Sequence, residues 1–309
     1  MRKRKLNIGV FIATYNGEKY IKEQIESIQE QTIHDISIVI NDDMSTDETF
    51  SILKSMAEKD TRISLSRVKC GGACENFLYL LKNSRKFDCV FLCDQDDVWL
   101  PNKIEVFLNT YLKKNPTTPL LIYCDREYVD EKLANINVKE KKYSDSLKRI
   151  LFQNHIYGCT MMLNKALVNK MLCLNLRHIY MHDHLVALTA VSFGEIIHIN
   201  EKLVKYRQHA NNVTGGINQF SCKKKILCWN EVNRNQMKTF QMCREFCDLY
   251  KDESDITKMY LRMLDSNRYM RVVRAIKYGF RRDGFLPTLR AYWVMMQYNS
   301  IVDYFNNRT

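Results

Sequence analysis

Glycine and proline are scarce in this 309-residue chain, at 10 and 4 residues, which excludes a collagen, a low-complexity tail and a disordered activator. No Walker A loop and no GxGxxG occurs, so phosphates need another cradle. No CxxC occurs either. The eleven cysteines are odd in number and scattered. Cys70/Cys74, Cys89/Cys93 and Cys243/Cys247 share a four-residue step, but Cys89 and Cys93 lie in an apolar run, and core packing is the reading adopted over zinc ligation. A signal h-region is missing: the basic residues 1–5 lead straight into Leu6–Ala13, a stretch of strand length, and a reducing cytoplasm is the expected compartment. The uncharged stretch near the C-terminus, Ala291 to Val302, falls well short of the ~20 residues of a membrane-spanning helix.

What the chain does have is 46% hydrophobic residues and an excess of Lys plus Arg, 47 against 35 Asp plus Glu, for a net charge of +12. Its length suits one large domain, or a domain with an appendage, and buries a sizeable core. Two periods alternate along the front. Leu6–Ala13 reads as a strand, followed by Ile21, Ile25 and Ile28 at helical spacing. Ile36–Ile40 is a second strand, and Ser45 with Glu48 predicts a capping box for a helix reaching about Lys59. Arg62–Leu65, a helix over Asn76–Leu81, and Cys89–Cys93 follow. Strands alternating with helices in this way predict a mostly parallel sheet with helices on both faces, and such sheets bind ligands beyond the carboxyl ends of their strands. Further on, Leu120–Cys124 and Gly194–Ile199 read as strands, and Glu127–Asp145 as a mobile loop.

After Gly215 and Gly216 the character changes. Residues 218–309 hold 17 Lys and Arg against 9 Asp and Glu, so eight of the twelve net charges lie there. Residues 1–217 are thus expected to form an α/β domain and 218–309 a basic helical appendage. In it, Val272, Val273, Ile276 and Phe280 form an apolar stripe beside Arg271, Arg274, Lys277, Arg281 and Arg282. Such a helix suits an anionic membrane surface, or packs on the first domain with its charges solvated.

Three acidic clusters stand at expected element ends: Asp42-Asp43, Asp94-Gln95-Asp96-Asp97, and His182-Asp183-His184 at the start of a helix. Carboxylates packed together are unfavourable unless a cation or a donor network offsets them. Mg2+ and Mn2+ prefer carboxylate oxygens and bridge to substrate phosphates, so Asp94-x-Asp96 is a reasonable place for a metal that holds a diphosphate. Trp99, behind it, reads as a hydrophobic anchor for that loop. Consecutive residues on a helix point in different directions, so His182 and His184 suit orienting or acceptor contacts better than ligation. Asp183 is also a good helix N-cap.

These residues resemble the family-2 glycosyltransferases with the GT-A fold, particularly the bacterial rhamnosyltransferase-like branch. The likeness covers roughly residues 6–217. It rests on Ala13-Thr14-Tyr15-Asn16-Gly17, Asn41-Asp42-Asp43-Met44-Ser45-Thr46-Asp47, Asp94–Trp99, Gly158–Met162, His182-Asp183 and Tyr206–Val213, in that order. It implies a Rossmann-like GT-A sheet with a C-terminal helical appendage. It further implies that Thr14, Tyr15 and Asn16 line the nucleotide pocket, and that Asp43 accepts a hydrogen bond from the pyrimidine N3. Asp94 would face the ribose or donor sugar. Asp96, with or in place of Asp97, would ligate Mn2+ or Mg2+ together with His209, and Arg207 would offer charge to the leaving diphosphate. Asp183 matches the catalytic base of a single displacement that inverts the anomeric carbon and needs no protein nucleophile. Three positions depart from the family pattern: Met44 and Ala210 stand where glycine is usual, and His184-Leu185 replaces a bulky aromatic pair.

The expected activity is transfer of a sugar, L-rhamnose from dTDP-L-rhamnose first and a UDP-hexose second, to a saccharide acceptor carried on a polyprenyl diphosphate. The enzyme would work in the cytoplasm, peripherally on the inner face of the plasma membrane, in surface-polysaccharide or capsule synthesis. A nucleotidyltransferase would show a glycine-rich phosphate loop, and Thr14–Gly17 has one glycine. Nucleic acid is not an expected partner, because the basic excess lies outside the acidic region and no nucleic-acid motif occurs.

Overall fold

The computed structural model describes residues 5–138, 143–209 and 222–297, with the backbone alone over 222–231. The chain divides into two compact units. Met1–Lys142, Ile156–Leu174 and His182–Ile217 make the first, and Tyr143–His155, Asn175–Met181 and Asn218–Thr309 the second. The expected boundary at 217/218, Ala210, Gly215, Gly216 and the end of the stretch to Val302 lie outside the described residues.

In chain order the elements begin with β1 (Ile8–Thr14), α1 (Ile21–Gln29), β2 (Ser37–Asp42), α2 (Thr49–Lys59), β3 (Ile63–Arg67), α3 (Ala73–Lys82) and β4 (Cys89–Cys93). Next come β5 (Val98–Trp99), α4 (Lys103–Tyr111), β6 (Leu120–Val129), α5 (Leu147–Phe152), β7 (Met161–Asn164), α6 (Lys165–Leu172) and α7 (His182–Phe193). The last are β8 (Glu195–Arg207), α8 (Cys222–Leu249), α9 (Asp255–Leu264), α10 (Arg268–Tyr278) and α11 (Phe285–Gln297). Among the described residues no helix is long and apolar enough to cross a membrane.

The first unit is one eight-stranded sheet in the order β3-β2-β1-β4-β7-β6-β8-β5. β3, β2, β1 and β4 run parallel, β7 is antiparallel to both neighbours, and β6 and β8 are parallel again. β1 and β4 are buried along their whole length, which is why each reads as an unbroken apolar run. Ile21, Ile25 and Ile28 of α1 and Leu53 of α2 join one core with Val10, Ile12, Ile38, Ile40 and Phe91. Helices thus lie against a mostly parallel, Rossmann-like sheet, as the alternation of periods required.

The chain leaves β1 toward β2 and β3 on one side and returns to β4 on the other. The crevice between the loops after β1 and β4 is therefore a topological switch point, where open α/β sheets bind ligands. Parallel register levels these ends: Thr14 pairs with Asp42 and Ile12 with Cys93. β8 brings its own end to the same edge, because Val204 and Lys205 pair with Trp99 and Val98. At its entry, a Cβ on Gly194 would stand 1.8 Å from the Pro119 carbonyl oxygen, so only glycine fits this turn.

Three local expectations change. Ser45 does not cap α2: its hydroxyl and amide both turn to the Asp42 carboxylate, and Asp47 accepts from the Thr49 amide and hydroxyl instead. The stretch read as a loop from Glu127 is strand through Val129, paired with β8 to Arg207. A turn follows in which the Asp130 carboxylate accepts the Lys132 and Ala134 amides. The strand read over Gly194–Ile199 continues to Arg207.

The second unit is helical. Phe152 of α5 packs against Phe240, Phe280 and Tyr292, with ring centroids 5.6, 6.2 and 6.3 Å away. Ser254 and Asn267 cap α9 and α10 through their side chains. Gly279, at φ 72°, ends α10: its amide donates to the Ile276 carbonyl and the Phe280 amide to that of Ala275, a Schellman turn. The stripe expected on this helix is corrected accordingly. Phe280 folds inward and is fully buried, Arg271 is buried as well, and Val273 and Ile276 face solvent.

Candidate active site

The loop that leaves β1 is braced to both acidic loops. Thr14 Oγ1 and the Tyr15 amide donate to Gln95 Oε1 at 2.7 and 2.9 Å, and Gln95 Nε2 returns a bond to the Tyr15 carbonyl. A Cβ on Gly17 would fall 2.5 Å from that Gln95 oxygen, so the glycine makes room for the carboxamide. Asn16 adopts φ 49°, a conformation asparagine tolerates, and its Oδ1 accepts the Thr46 amide while its own amide donates to Ser45 Oγ. Tyr15 remains about half exposed. Gln95 went unremarked in the sequence, where only its acidic neighbours stood out.

Asp43 is nearly buried, and its carboxylate accepts the backbone amides of Cys70, Gly71 and Gly72 at 2.5 to 3.0 Å. It therefore organises the turn before α3. Met44 next to it holds φ 62°, so the turn keeps the left-handed backbone although the residue is not glycine.

The run after β4 splits between two directions. Asp96 is half-buried and meets His209, whose Nε2 lies 2.6 Å from Asp96 Oδ2. Asp97 is fully buried. One of its oxygens accepts the Arg207 amide at 3.1 Å, and the other has no hydrogen-bond partner. It shares its surroundings with Asp94 and Cys159, whose donor atoms all lie within 4.8 Å of one another. Burial, then Asp96, then Asp183 push the Asp94 carboxyl up to about 7. Burial, then Asp96 and Asp94, raise Asp97.

Arg207 is taken up by this loop. Its Nε donates to the Asp96 carbonyl at 2.8 Å, Nη1 to the Glu131 carbonyl and Nη2 to the Glu23 carboxylate, and its guanidinium lies 4.5 Å from the Tyr20 ring centre. The structure thus places it behind the acidic loop as a brace.

Two further cations are buried nearby, and one of them, Lys103, acts on the Asp94 carboxyl, holding it down. Lys103, at the start of α4, is completely buried. It donates to the Cys159 carbonyl at 2.8 Å and lies 3.5 Å above the centre of the Trp99 ring. Trp99 is itself buried, an anchor beneath the loop. Arg126 lies over the rings of Tyr157, Tyr128 and Tyr206, at 3.4, 4.9 and 5.2 Å. The register shifts of β6 at Cys124/Asp125 and Asp125/Arg126 re-aim its side chain, the usual effect of a bulge. Lys103 occupies an inward position four residues before Phe107 and eight before Tyr111, a signal present in the helical spacing.

Asp183 opens α7 and is nearly buried. Burial pushes its carboxyl up to about 6, against amide bonds from His184, Gly158 and its own backbone. Its charge in turn raises Asp94, so it shares the site with the acidic loop. His182 stacks on Phe77 at 4.2 Å. Burial lowers it to about 3, and the ring is neutral at physiological pH. Burial also drives the Cys159 thiol far up, leaving it protonated and unreactive.

The donor set fits a hard divalent ion. Among the described residues the donor atoms brought within 4.8 Å are those of Asp94, Asp97 and Cys159, and the expected set of Asp96, Asp97 and His209 is not so grouped. Asp97 offers an unpartnered buried carboxylate oxygen, Asp96 pairs with His209, and carboxylate oxygen and imidazole nitrogen are both ligands suited to Mn2+ or Mg2+.

Residues 9–171 match the family Glycosyl transferase family 2. The chain is 32% identical over 228 residues to the dTDP-rhamnosyl transferase RfbG of Shigella flexneri, covering 70% of this chain and 78% of that protein. Its fold is similar to that of S. aureus TarS solved in complex with UDP-GlcNAc, at a TM-score of 0.56 and 14% identity over 98% of this chain and 92% of that one. It is also similar to the mannosyltransferase PcManGT from Pyrobaculum calidifontis in complex with GDP-Man and Mn2+, at a TM-score of 0.56 and 14% identity over 98% and 87% of the two chains. The chain belongs to glycosyl transferase family 2 and has the GT-A fold.

Proposed function

We propose that this family-2 glycosyltransferase transfers a sugar, L-rhamnose from dTDP-L-rhamnose in the first instance, to a saccharide acceptor carried on a polyprenyl diphosphate, with inversion at the anomeric carbon. The observation that carries the reading is the placement of Asp183 against Gly158, next to Cys159, whose sulfur lies within 4.8 Å of the Asp94 and Asp97 oxygens at the switch point of the sheet. The similarity to a dTDP-rhamnosyl transferase supports the donor. Residues 1–217 carry the catalysis, in the cytoplasm at the inner membrane face, and 218–309 approach the membrane surface.

In this mechanism Thr14, Tyr15 and Asn16 receive the nucleotide, and Asp43 with the amide turn it holds forms the end that meets the base. Asp94 orients the ribose or the donor sugar. Asp96 with His209, or Asp97 in place of Asp96, would hold Mn2+ or Mg2+, which supplies Lewis-acid neutralisation of the leaving diphosphate. Asp183 takes the proton of the acceptor hydroxyl as that oxygen bonds to the anomeric carbon, while the bond from this carbon to the diphosphate oxygen breaks. The amides of His184 and Gly158 fix the carboxylate in place. Arg207 and Lys103 keep the acidic loop in position from behind.

Donor binding tests this reading. Thermal-shift titrations with dTDP-rhamnose, UDP-glucose, UDP-galactose and UDP-N-acetylglucosamine, with and without Mn2+, are compared for the wild type and Asp96→Asn. Only a ligand of the folded state raises the melting temperature. The expected result is metal-dependent stabilisation by dTDP-rhamnose that Asp96→Asn loses. Preference for a UDP-sugar reassigns the donor, and silence with all four overturns the proposal.

A further inference from the structure

The outward sides of α10 and α11 combine two properties that a folded chain usually keeps apart. Tyr269, Val273 and Ile276 lie at positions i, i+4 and i+7 of α10 and are each more than half exposed. On α11, Phe285 and Leu286 are exposed to 76% and 75%, and Trp293 to 38%. These side chains are not waiting for the interior of their own unit. Arg271 and Ala275 of α10 and Ala291, Val294 and Met295 of α11 are already buried on the inner side, and Arg271 Nη1 donates to the Met295 carbonyl. Between Arg268 and Gln297 the sequence carries seven Arg and Lys against one acidic residue, Asp283. Arg268, Lys277 and Arg281 are exposed with the apolar side chains.

We propose that this face of α10 and α11 seats on an anionic lipid bilayer, its aromatic and aliphatic side chains entering the interface and its exposed cations meeting lipid headgroups. The stripe read from sequence included Phe280, which is buried, and missed α11. The surface now assigned rests on observed exposure and is independent of which sugar the enzyme transfers. Amphipathic helices with cations beside aromatic and aliphatic residues bind such interfaces through apolar burial and attraction to anionic lipid together. A second copy of this chain is a poor occupant, because a two-fold contact would set the exposed Arg268, Lys277 and Arg281 against the same three. A nucleic acid would satisfy the cations and leave Phe285 and Leu286 in water.

Co-sedimentation of the full-length protein with phosphatidylglycerol–phosphatidylcholine vesicles, against phosphatidylcholine alone, provides the test. The wild type is expected to sediment with the anionic vesicles only, less as salt rises. Ile276→Ser/Phe285→Asp/Leu286→Asp should weaken this by about a hundredfold or more, and Arg268→Gln/Lys277→Gln/Arg281→Gln by on the order of a hundredfold at low salt. Folding is controlled within the experiment. Aspartate at the N-terminus of α11 favours the helix dipole, and both variants should keep the wild-type melting temperature and its response to the nucleotide sugar. Equal sedimentation of the apolar variant and the wild type overturns the proposal, as does equal binding to neutral vesicles. A concentration-dependent dimer that the apolar variant abolishes, without vesicle binding, assigns the face to a second copy instead.

Discussion

Lys103 and Arg207 are less exposed than almost any side chain on the outer face of the C-terminal helices, where Phe285 and Leu286 stand about three-quarters in water. The first unit buries charge and the second displays apolar surface, each against the ordinary preference of those side chains. In the first unit the inversion is local. Asp94, Asp97 and Asp183 gather at one edge of an apolar sheet, with the charge of Lys103 acting on Asp94 and the Arg207 amide donating to Asp97. In the second it is spread along two helices, with the cations beside the apolar side chains instead of beneath them. Interior charge thus coincides with the proposed active site, and exterior phenylalanine with the proposed docking face.

The comparison breaks most visibly at Asp183. Asp183→Asn should lower the transfer rate by about 10²–10⁴-fold while the donor-induced thermal shift persists; an unchanged rate would make the carboxylate merely a helix cap. The same residue fixes a pH dependence. Because burial raises its carboxyl to about 6 from 3.8, the proton-bound form is favoured in the fold, and its contribution to stability is full below the lower value and lost as pH rises through the upper one. Transfer should therefore increase with pH around an inflection near 6, as the base ionises. Asp183→Asn should melt higher than the wild type above that pH, by roughly 1–3 kcal/mol, when melting is followed across pH 4 to 8.

Lys103→Met asks whether the buried cation belongs to the carboxylates. Leaving them uncompensated should cost about 3–5 kcal/mol in urea unfolding at pH 8. The cost should shrink at pH 5, where protons replace the missing charge; a loss independent of pH would reduce Lys103 to packing on Trp99. The two units also differ in what a phenylalanine does. Phe91→Ala in β4 should cost about 3–5 kcal/mol, whereas Phe285→Ser should stay within about 0.5 kcal/mol of the wild type. A similarly small effect, of opposite sign to the losses above, is expected at Met44. Its left-handed backbone costs an L-residue about 1–2 kcal/mol and glycine gives back part of that in unfolded-chain entropy, so Met44→Gly should stabilise by about 0.5 kcal/mol.

Much of this was legible where one force dominates. β1 and β4 are buried on both faces, so their sequences are uninterrupted apolar runs, and the carboxylates after β2 and β4 stand out because each follows a mostly apolar strand. The buried cations were not legible. Lys103 looks like any surface lysine until the inward spacing of Phe107 and Tyr111 is set beside it, and Arg126 owes its direction to irregular register in β6. The capping expected of Ser45 failed because Asp42, three residues earlier, is a stronger partner for its hydroxyl. The stripe on α10 was drawn one turn too far because Gly279 stops the helix, and a left-handed glycine there sends Phe280 into the core. Arg207 appeared as a free charge for a leaving group because its three acceptors come from distant parts of the chain.

The reach of β8 has a consequence for how the molecule is made. His209 meets Asp96 across 113 positions of sequence, and among the described residues β5 pairs with β8 alone. A ribosome adding about 5–20 residues each second releases β1 to β4 well before the strand that completes the site. In that interval the parallel core can form from neighbouring segments, while Val98 and Trp99 await their pairing and the acidic loop lacks Arg207. The last strand of the sheet to be synthesised is thus the one that turns a folded scaffold into a finished site, and a chain stalled before Glu195 would be an assembled sheet with an open edge.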